Sequence, residues 1–555
     1  MSTASTKSRT DKQTEPAGAL PRGESGYATG GTSEPQLPER VWRIASLAIL
    51  IIAALFRFYA LSLKPLHHDE GVNGFFFTRL FRMGVFTRGS YTYDPANYHG
   101  PTLYYFTLPF AWLLGLETFA LRTVTALFGV ATVWLILRLR KYLGTAGALA
   151  AAALAAVSPG AVFFSRYFIH ESLFVFFTLG IVVAVLRYYE TANHSYLMLA
   201  SALAGLLFAT KETAFISAGV LLIAMVGAEV YVRYVAPVLL GSTDARRRGR
   251  KTHESGRKAT VAAAPFPAAS PRFPLAAAVC LAVGIFIAIN ILFYSSFFTN
   301  GEGLGAALRA FQFWTRTGTR DHVYPYYKYL DWLAQEEAPL LVLGALGFGL
   351  AMWRATSRFA VFAALWAFGI VAAYSLIPYK TPWLALNFII PLAIIGGYGI
   401  GEIYGSADDT MRRAVAAVLL LAAAAAGSYQ AIVLNFINYD SDRYPYVYAH
   451  TQRGFLALVN DINRLAQASG EGTATAISVF SPDYWPLPWY LRDYTRVGYH
   501  GRPGAAGDAA LVLGNLNQDA ELHAMLGPNF QRVGAYQLRP GVTLVLYARR
   551  DLIKP

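Results

Sequence analysis

Runs of about 18 or more apolar residues recur along most of this 555-residue chain, separated by short polar or basic loops. Each run is long enough to cross a bilayer as a helix. The pattern predicts eleven spans, near 42–61, 119–137, 144–164, 168–187, 196–210, 213–232, 273–298, 338–353, 358–377, 383–403 and 412–436. One more apolar stretch, 101–116 (PTLYYFTLPFAWLLGL), is short for a span. Its aromatics, with Pro101 and Pro109, suit a helix lying along the membrane surface.

From about residue 440 the period changes. Segments 476–480, 510–513 and 542–547 alternate as strands do, while 452–467 and 518–526 carry helical spacing. The first 40 residues are polar and rich in Ser, Thr, Gly and Pro, and read as a disordered tail. The fold class is therefore an α-helical polytopic membrane domain over 41–437, followed by a small α/β domain over 438–555.

Loop charge orients the spans. Arg138, Arg140 and Lys141 follow the second, and Arg187 the fourth. Arg246, Arg247, Arg248, Arg250 and Lys251 follow the sixth; Arg354 and Arg358 follow the eighth, and Arg412 and Arg413 the tenth. Every second loop is basic, which puts the N-terminus and the basic loop 235–272 in the cytoplasm of a cell (plasma or inner) membrane. Loops 62–118 and 299–337 and the C-terminal domain then face outside. Counting 101–116 as a span would export the basic loops, so it is placed among the external juxtamembrane helices.

Composition agrees. Hydrophobic residues make up 55% of the chain and charged ones 14%, where a soluble protein carries about a quarter charged. The net charge of +14 is a topology signal and does not point to nucleic acid. The single cysteine, Cys280, excludes an intramolecular disulfide.

The unusual polar residues collect in the external loops. His67-His68-Asp69-Glu70 follows the first span, and Asp94, Tyr98 and His99 come later in the same loop. In an extended segment adjacent side chains diverge, so Asp69 and Glu70 serve different roles, one as a base for a hydroxyl and the other orienting groups or holding a metal. Arg166, His170 and Glu171 open the fourth span; helix capping and snorkelling are their plainer explanations. Lys211-Glu212 and Lys380 lie at outer span ends, against the positive-inside tendency, which asks for an anionic partner: Glu212 itself for Lys211, or a phosphate. His322 and Tyr324 lie in 299–337 among aromatics and cations that suit a sugar, though a membrane-surface belt explains them as well. Gly397, Gly399 and Gly401 lie inside a span, where small residues let helices pack closely.

These residues resemble the GT-C glycosyltransferases, especially relatives of the dolichyl-phosphate-mannose protein mannosyltransferases and of the aminoarabinose transferase of lipid A. Within them the chain looks like the branch named for flippase-activity-associated proteins of archaeal-type glycosylation. The resemblance covers residues 40–400. Asp69-Glu70 looks like the family's pair after the first span, and His99-Gly100-Pro101 like its His-Pro-Pro or Lys-Pro-Pro segment. Glu171 stands where relatives often have Asp; Thr210-Lys211 and Lys380-Thr381-Pro382 resemble the Thr-Lys and Lys-Pro motifs.

The resemblance implies a protein that moves a sugar from a polyprenyl-phosphate donor to a hydroxyl of a protein, lipid or glycan acceptor, with inversion. Asp69 would be the general base, with Glu70 and Glu171 beside it. Lys211, Lys380, Arg166 and His99 would bind the donor phosphate. His68, Tyr98, His322 and Tyr324 would line the sugar and acceptor site. No cofactor is required; a divalent metal on His67, His68, Asp69 and Glu70 is the alternative. Two other functions compete: a lipid-linked-sugar flippase or non-catalytic accessory, and a scaffold working through the aromatic cluster 483–490. A transporter places polar groups at the bilayer midplane; here they gather at the outer span ends.

Overall fold

The computed structural model describes residues 37–95, 99–240, 274–317, 322–405 and 410–553. Most of the N-terminal tail, most of the basic loop and Tyr98 therefore lie outside the described residues. The chain begins with α1 (Glu39–Phe58), then α2 (His68–Met83) and α3 (Thr102–Leu114). Next come α4 (Thr118–Leu137), α5 (Arg140–Val157), α6 (Pro159–Ser165), α7 (Glu171–Thr191), α8 (His194–Phe208) and α9 (Ala214–Val230). After the basic loop follow α10 (Leu275–Tyr294), α11 (Glu302–Thr317), α12 (Lys328–Glu336), α13 (Ala338–Arg354), α14 (Arg358–Leu376), α15 (Leu386–Gly405) and α16 (Thr410–Ile432).

Among the described residues, eight helices are long and apolar enough to cross a membrane, or ten if two bent pairs each count as one span. The bent pairs are α5 with α6, turned by 58° at Ser158, and α12 with α13, turned by 113°. Pro159 and Pro339 stand in the first turn of α6 and α13, where a missing N–H costs nothing. The expected fifth span is α8, whose 15 residues reach only about 22 Å. It still carries the chain back to the end where α7 began, because Lys211 pairs with Glu171. The helix α3 has 13 residues; it buries Leu103, Tyr104, Thr107, Leu108 and Ala111 and exposes Trp112 and Leu113.

The centre of the bundle is α15, buried over its whole apolar stretch between α5 and α13. Small residues make this close approach possible. A Cβ on Gly397 would lie 2.5 Å from the Ala151 backbone nitrogen, and one on Gly401 2.9 Å from Gly147 Cα. Two buried arginines close helix ends. Arg57 donates to the carbonyls of Ala53, Ala155 and Ala156, and Arg166 to those of Phe56, Arg57, Tyr59 and Ala60. Carbonyls at a helix C-terminus lack intrahelical donors and attract cations, so each guanidinium is matched where it lies. Arg140–Glu39, Arg187–Glu190, Arg358–Glu229 and Arg354–Glu402 pair at the helix ends away from α2.

Beyond α16, α17 (Phe455–Ala468) and α18 (Asp519–Leu526) match the expected helices, and five strands form a mixed sheet in the order β2-β1-β3-β5-β4. β1 (Ile477–Val479) pairs in parallel with β2 (Val497–Tyr499) and β3 (Leu511–Asn515); β5 (Val542–Arg549) pairs antiparallel with β3 and β4 (Phe530–Arg539). The expected strands are β1, β3 and β5. The missed ones are the two edges, where one strand has three residues and the other breaks register twice. The domain sits on α2 through direct backbone contact. A Cβ on Gly71 would lie 2.4 Å from Pro486 Cβ, and one on Gly74 2.7 Å from the Trp489 ring.

Candidate active site

The segment His67-His68-Asp69-Glu70 is not extended; it starts α2. His67 Nδ1 accepts the Asp69 N–H at 3.1 Å, and Glu70 Oε2 accepts the His67 N–H at 3.0 Å, a reciprocal cap with imidazole in the usual hydroxyl's place. The other ring nitrogen of His67 faces the Tyr448 carbonyl at 3.1 Å, so it carries the proton. His67 is thus a neutral ring of fixed tautomer, packed between Tyr167, Trp383 and His450. Burial pushes its pKa down to about 4, against the opposing charge of Glu70.

Glu70 is buried and used in full. Arg122 Nε and Nη2 donate to its two oxygens at 2.7 and 2.6 Å, and besides the His67 N–H the Phe168 N–H adds a fourth contact at 2.8 Å. Burial alone would raise its pKa; the Arg122 guanidinium and these donors hold it below the ordinary range. Arg122 also donates to the carbonyls of Leu61, Lys64 and Pro65. One ion pair thereby ties α4 to the turn before α2.

Asp69 is the carboxylate left open, with 38% of its side-chain surface accessible. Crowding by protein raises its pKa above the ordinary aspartate range; His68 opposes this, Glu171 adds to it, and His99 and Lys211 oppose it again. Three groups from other elements therefore lie within electrostatic reach of Asp69.

Those groups are themselves paired. Lys211 Nζ donates to Glu171 Oε1 at 2.5 Å, with both side chains buried. His99 Nδ1 meets Glu212 Oε2 at 2.8 Å, and Tyr93 donates to Glu212 Oε1 at 2.7 Å. Lys211 thus pairs with Glu171 and not with the adjacent Glu212, one of the two partners the sequence left open, while Glu212 is held by His99 and Tyr93. Backbone bonds hold the pieces in place, from Gly100 N–H to the Thr210 carbonyl at 3.1 Å and from Thr102 N–H to that of Ala209 at 3.2 Å. A Cβ on residue 100 would sit 2.2 Å from the Ala209 oxygen. The close approach leaves no room for a side chain at position 100.

On the other side, the backbone at 322–324 pairs with 378–380: Lys380 N–H donates to the His322 carbonyl and Tyr324 N–H to that of Pro378. His322 Nδ1 lies 2.9 Å from the Tyr448 hydroxyl. Lys380 Nζ is buried and donates to the carbonyls of Ser375 and Ile377, at the end of α14. From the C-terminal domain, Trp485 packs on His68 with ring centroids 6.0 Å apart.

A family model described as dolichyl-phosphate-mannose-protein mannosyltransferase matches residues 98–243. No curated protein matches the sequence. Among solved structures, ArnT from Cupriavidus metallidurans bound to undecaprenyl phosphate is 14% identical, covers 93% of this chain and 99% of its own, and has a TM-score of 0.60. The archaeal oligosaccharyltransferase AglB from Archaeoglobus fulgidus, in complex with an inhibitory peptide and a dolichol-phosphate, is 13% identical over 88% of this chain and 71% of its own, with a TM-score of 0.53. The chain has the GT-C fold.

The structure gathers Asp69, Glu171, Lys211, His99 and His68 at one end of the bundle, with His322 and Tyr324 at its rim. Two expectations need correction. Arg166 is occupied by four carbonyls at the end of α1, and Glu70 is occupied by donors, which makes it a holder of the turn. The four proposed metal ligands do not form a set, since His67 uses both ring nitrogens and Glu70 both oxygens. Among the described residues no three His, Cys, Asp or Glu side chains are grouped to hold a metal ion. Arg122, Glu212, Tyr93 and Trp485 were not assigned to the site from sequence; a charge in the first turn of an apolar span was the available signal for Arg122.

Proposed function

We propose that this protein is a membrane glycosyltransferase that transfers a sugar from a polyprenyl-phosphate donor to an acceptor hydroxyl on the extracytoplasmic face. The observation that carries this reading is one open carboxylate, Asp69, within electrostatic reach of the buried Lys211–Glu171 ion pair and of His99, which Glu212 holds. An open base beside anchored cations is what transfer from a phosphate leaving group requires.

Asp69 takes the acceptor hydroxyl proton as the oxygen attacks the anomeric carbon from the face opposite the phosphate. The bond from that carbon to the phosphate oxygen breaks, its electron pair leaves with the polyprenyl phosphate, and configuration inverts. Lys211 uses one N–H on Glu171 and keeps two for the phosphate. His99, oriented by Glu212, is the second phosphate contact, and Lys380 has one N–H to spare at the rim. Glu171 and Glu70 act through the cations they hold. His68, His322 and Tyr324 border the space for sugar and acceptor.

Undecaprenyl phosphate and dolichol-phosphate, named with ArnT and AglB, support a polyprenyl-phosphate donor entering from the bilayer. Basic helix ends away from α2 support an external site and a cytoplasmic N-terminus. The test is transfer by purified protein with a panel of radiolabelled polyprenyl-phosphate sugars, following release of free lipid phosphate. Release from wild-type protein and its loss in Asp69→Asn is the expected result; equal release by both contradicts the base assignment.

A further inference from the structure

The segment Asp483–Tyr490 divides its two tryptophans between two tasks. Trp489 is fully buried and, with Pro486, presses on Gly74 and Gly71 of α2. That contact fixes the C-terminal domain on the helix that starts with Asp69. Trp485 touches the same helix but lies outside the two glycine contacts and stays half-buried. Its ring instead lies 6.0 Å from His68, 5.8 Å from Phe75 and 5.7 Å from Tyr484, whose ring continues to Tyr499 at 4.7 Å. Phe75 keeps 44% of its surface exposed. A line of aromatic rings thus leads from the C-terminal domain to the residue next to Asp69.

An ion pair borders this line. Asp483 and Arg539 pair directly, both remain partly exposed, and both lie close enough to His68 to bias its charge, in opposite senses. Aromatic faces beside a planar carboxylate–guanidinium pair fit a ligand with flat C–H faces and many hydroxyls. The rings cover the C–H face, while the pair offers acceptors and donors to adjacent hydroxyls. An ionic ligand would meet a locally balanced pair and gain little.

We infer that Trp485, Tyr484 and Phe75, with the Asp483–Arg539 pair, form a carbohydrate-binding subsite that presents a glycan acceptor to Asp69. This rests on the transferase reading and adds the acceptor class. It also gives the C-terminal domain a part in the site beyond packing.

The test uses full-length protein in lipid nanodiscs and measures equilibrium binding of end-labelled hexose and pentose oligosaccharides, with an extended hydroxyl-bearing peptide as the competing class. Expected are binding of at least one oligosaccharide by wild-type protein, a loss of about tenfold in Trp485→Ala, and near-native binding in Trp485→Phe. Thermal unfolding accompanies each variant, so that a misfolded Trp485→Ala is replaced as the test by Tyr484→Ala. Binding of no oligosaccharide, equal binding by wild-type and alanine variants, or peptide binding that alone depends on Trp485 overturns the subsite. If Asp69→Asn transfers at the native rate while Trp485→Ala loses oligosaccharide, the transferase mechanism fails and the subsite stands.

Discussion

Glu70 and Arg122 meet through two hydrogen bonds, at 2.7 and 2.6 Å, with essentially no surface left to either side chain. The pair joins the span α4 to the turn that presents Asp69. Its value follows from what each partner would face alone. Glu70→Gln leaves a buried guanidinium without its counter-charge, and Arg122→Met leaves a buried carboxylate with only backbone donors. Each single change should cost about 3–5 kcal/mol of stability. The double variant should cost less than the sum, because no uncompensated charge remains. Thermal unfolding of the four proteins in one detergent measures this.

His67 should make the protein acid-sensitive. Its folded pKa is pushed down to about 4 from an ordinary 6.5. Its contribution is therefore complete above about pH 6.5 and is lost as pH falls toward 4, amounting to about 3 kcal/mol. His67→Asn retains a side chain able to cap α2 but cannot titrate. Comparing melting temperatures at neutral pH and near pH 4.5 should show a smaller acid loss for the variant than for wild type.

Much of this site was readable because membrane burial makes polar residues conspicuous. Asp69, Glu171 and Lys211 stand out at the ends of apolar runs, and so do the motifs at 99–101 and 380–382. Partnership was not readable. Lys211 and Glu212 are adjacent, yet their side chains leave the backbone toward different partners, and only the return of α8 brings Glu171 to Lys211. Arg166 looked like a phosphate ligand because a sequence does not show that the carbonyls ending α1 lie beside it. The contribution of Trp485 depends on how a separate domain docks on Gly71 and Gly74, which no local pattern reports. Of the eleven expected spans, eight match single helices among the described residues that are long and apolar enough to cross a membrane and two match bent pairs, while α8 is shorter than hydropathy suggested. The bend at Ser158 was not legible, because apolar composition continues through it, whereas the break at Glu337 falls at the expected start of a span.

Gly100 should tolerate no replacement. Gly100→Ala pushes a Cβ against the Ala209 oxygen, and Gly100→Pro also removes the N–H that donates to Thr210. Both should separate His99 from Lys211, with a stability loss of about 1–3 kcal/mol for alanine and more for proline. Transfer should fall further than stability does. Activity and unfolding measured on the same preparations separate the two effects.

The pH dependence of transfer should report the surroundings of Asp69. In the proposed mechanism Asp69 acts ionised, so kcat/KM should fall as pH drops through a value above the ordinary aspartate range. Glu171 raises that pKa, so Glu171→Gln should move the acid limb to lower pH. Lys211 lowers it, so Lys211→Met should move the limb to higher pH and weaken donor binding as well. Profiles of kcat/KM for the three proteins check the two opposite displacements.

The most direct measurement is single-turnover release of polyprenyl phosphate from a transferable donor by wild type, Asp69→Asn and Glu70→Asp at matched folded concentrations. With Asp69 as the only open carboxylate at the start of α2, Asp69→Asn should lose about a hundredfold or more in rate while keeping its melting temperature. Glu70→Asp should lose stability first and rate in proportion. Native-rate release by Asp69→Asn, or a folded Glu70→Asp that is the inactive one, would contradict the account.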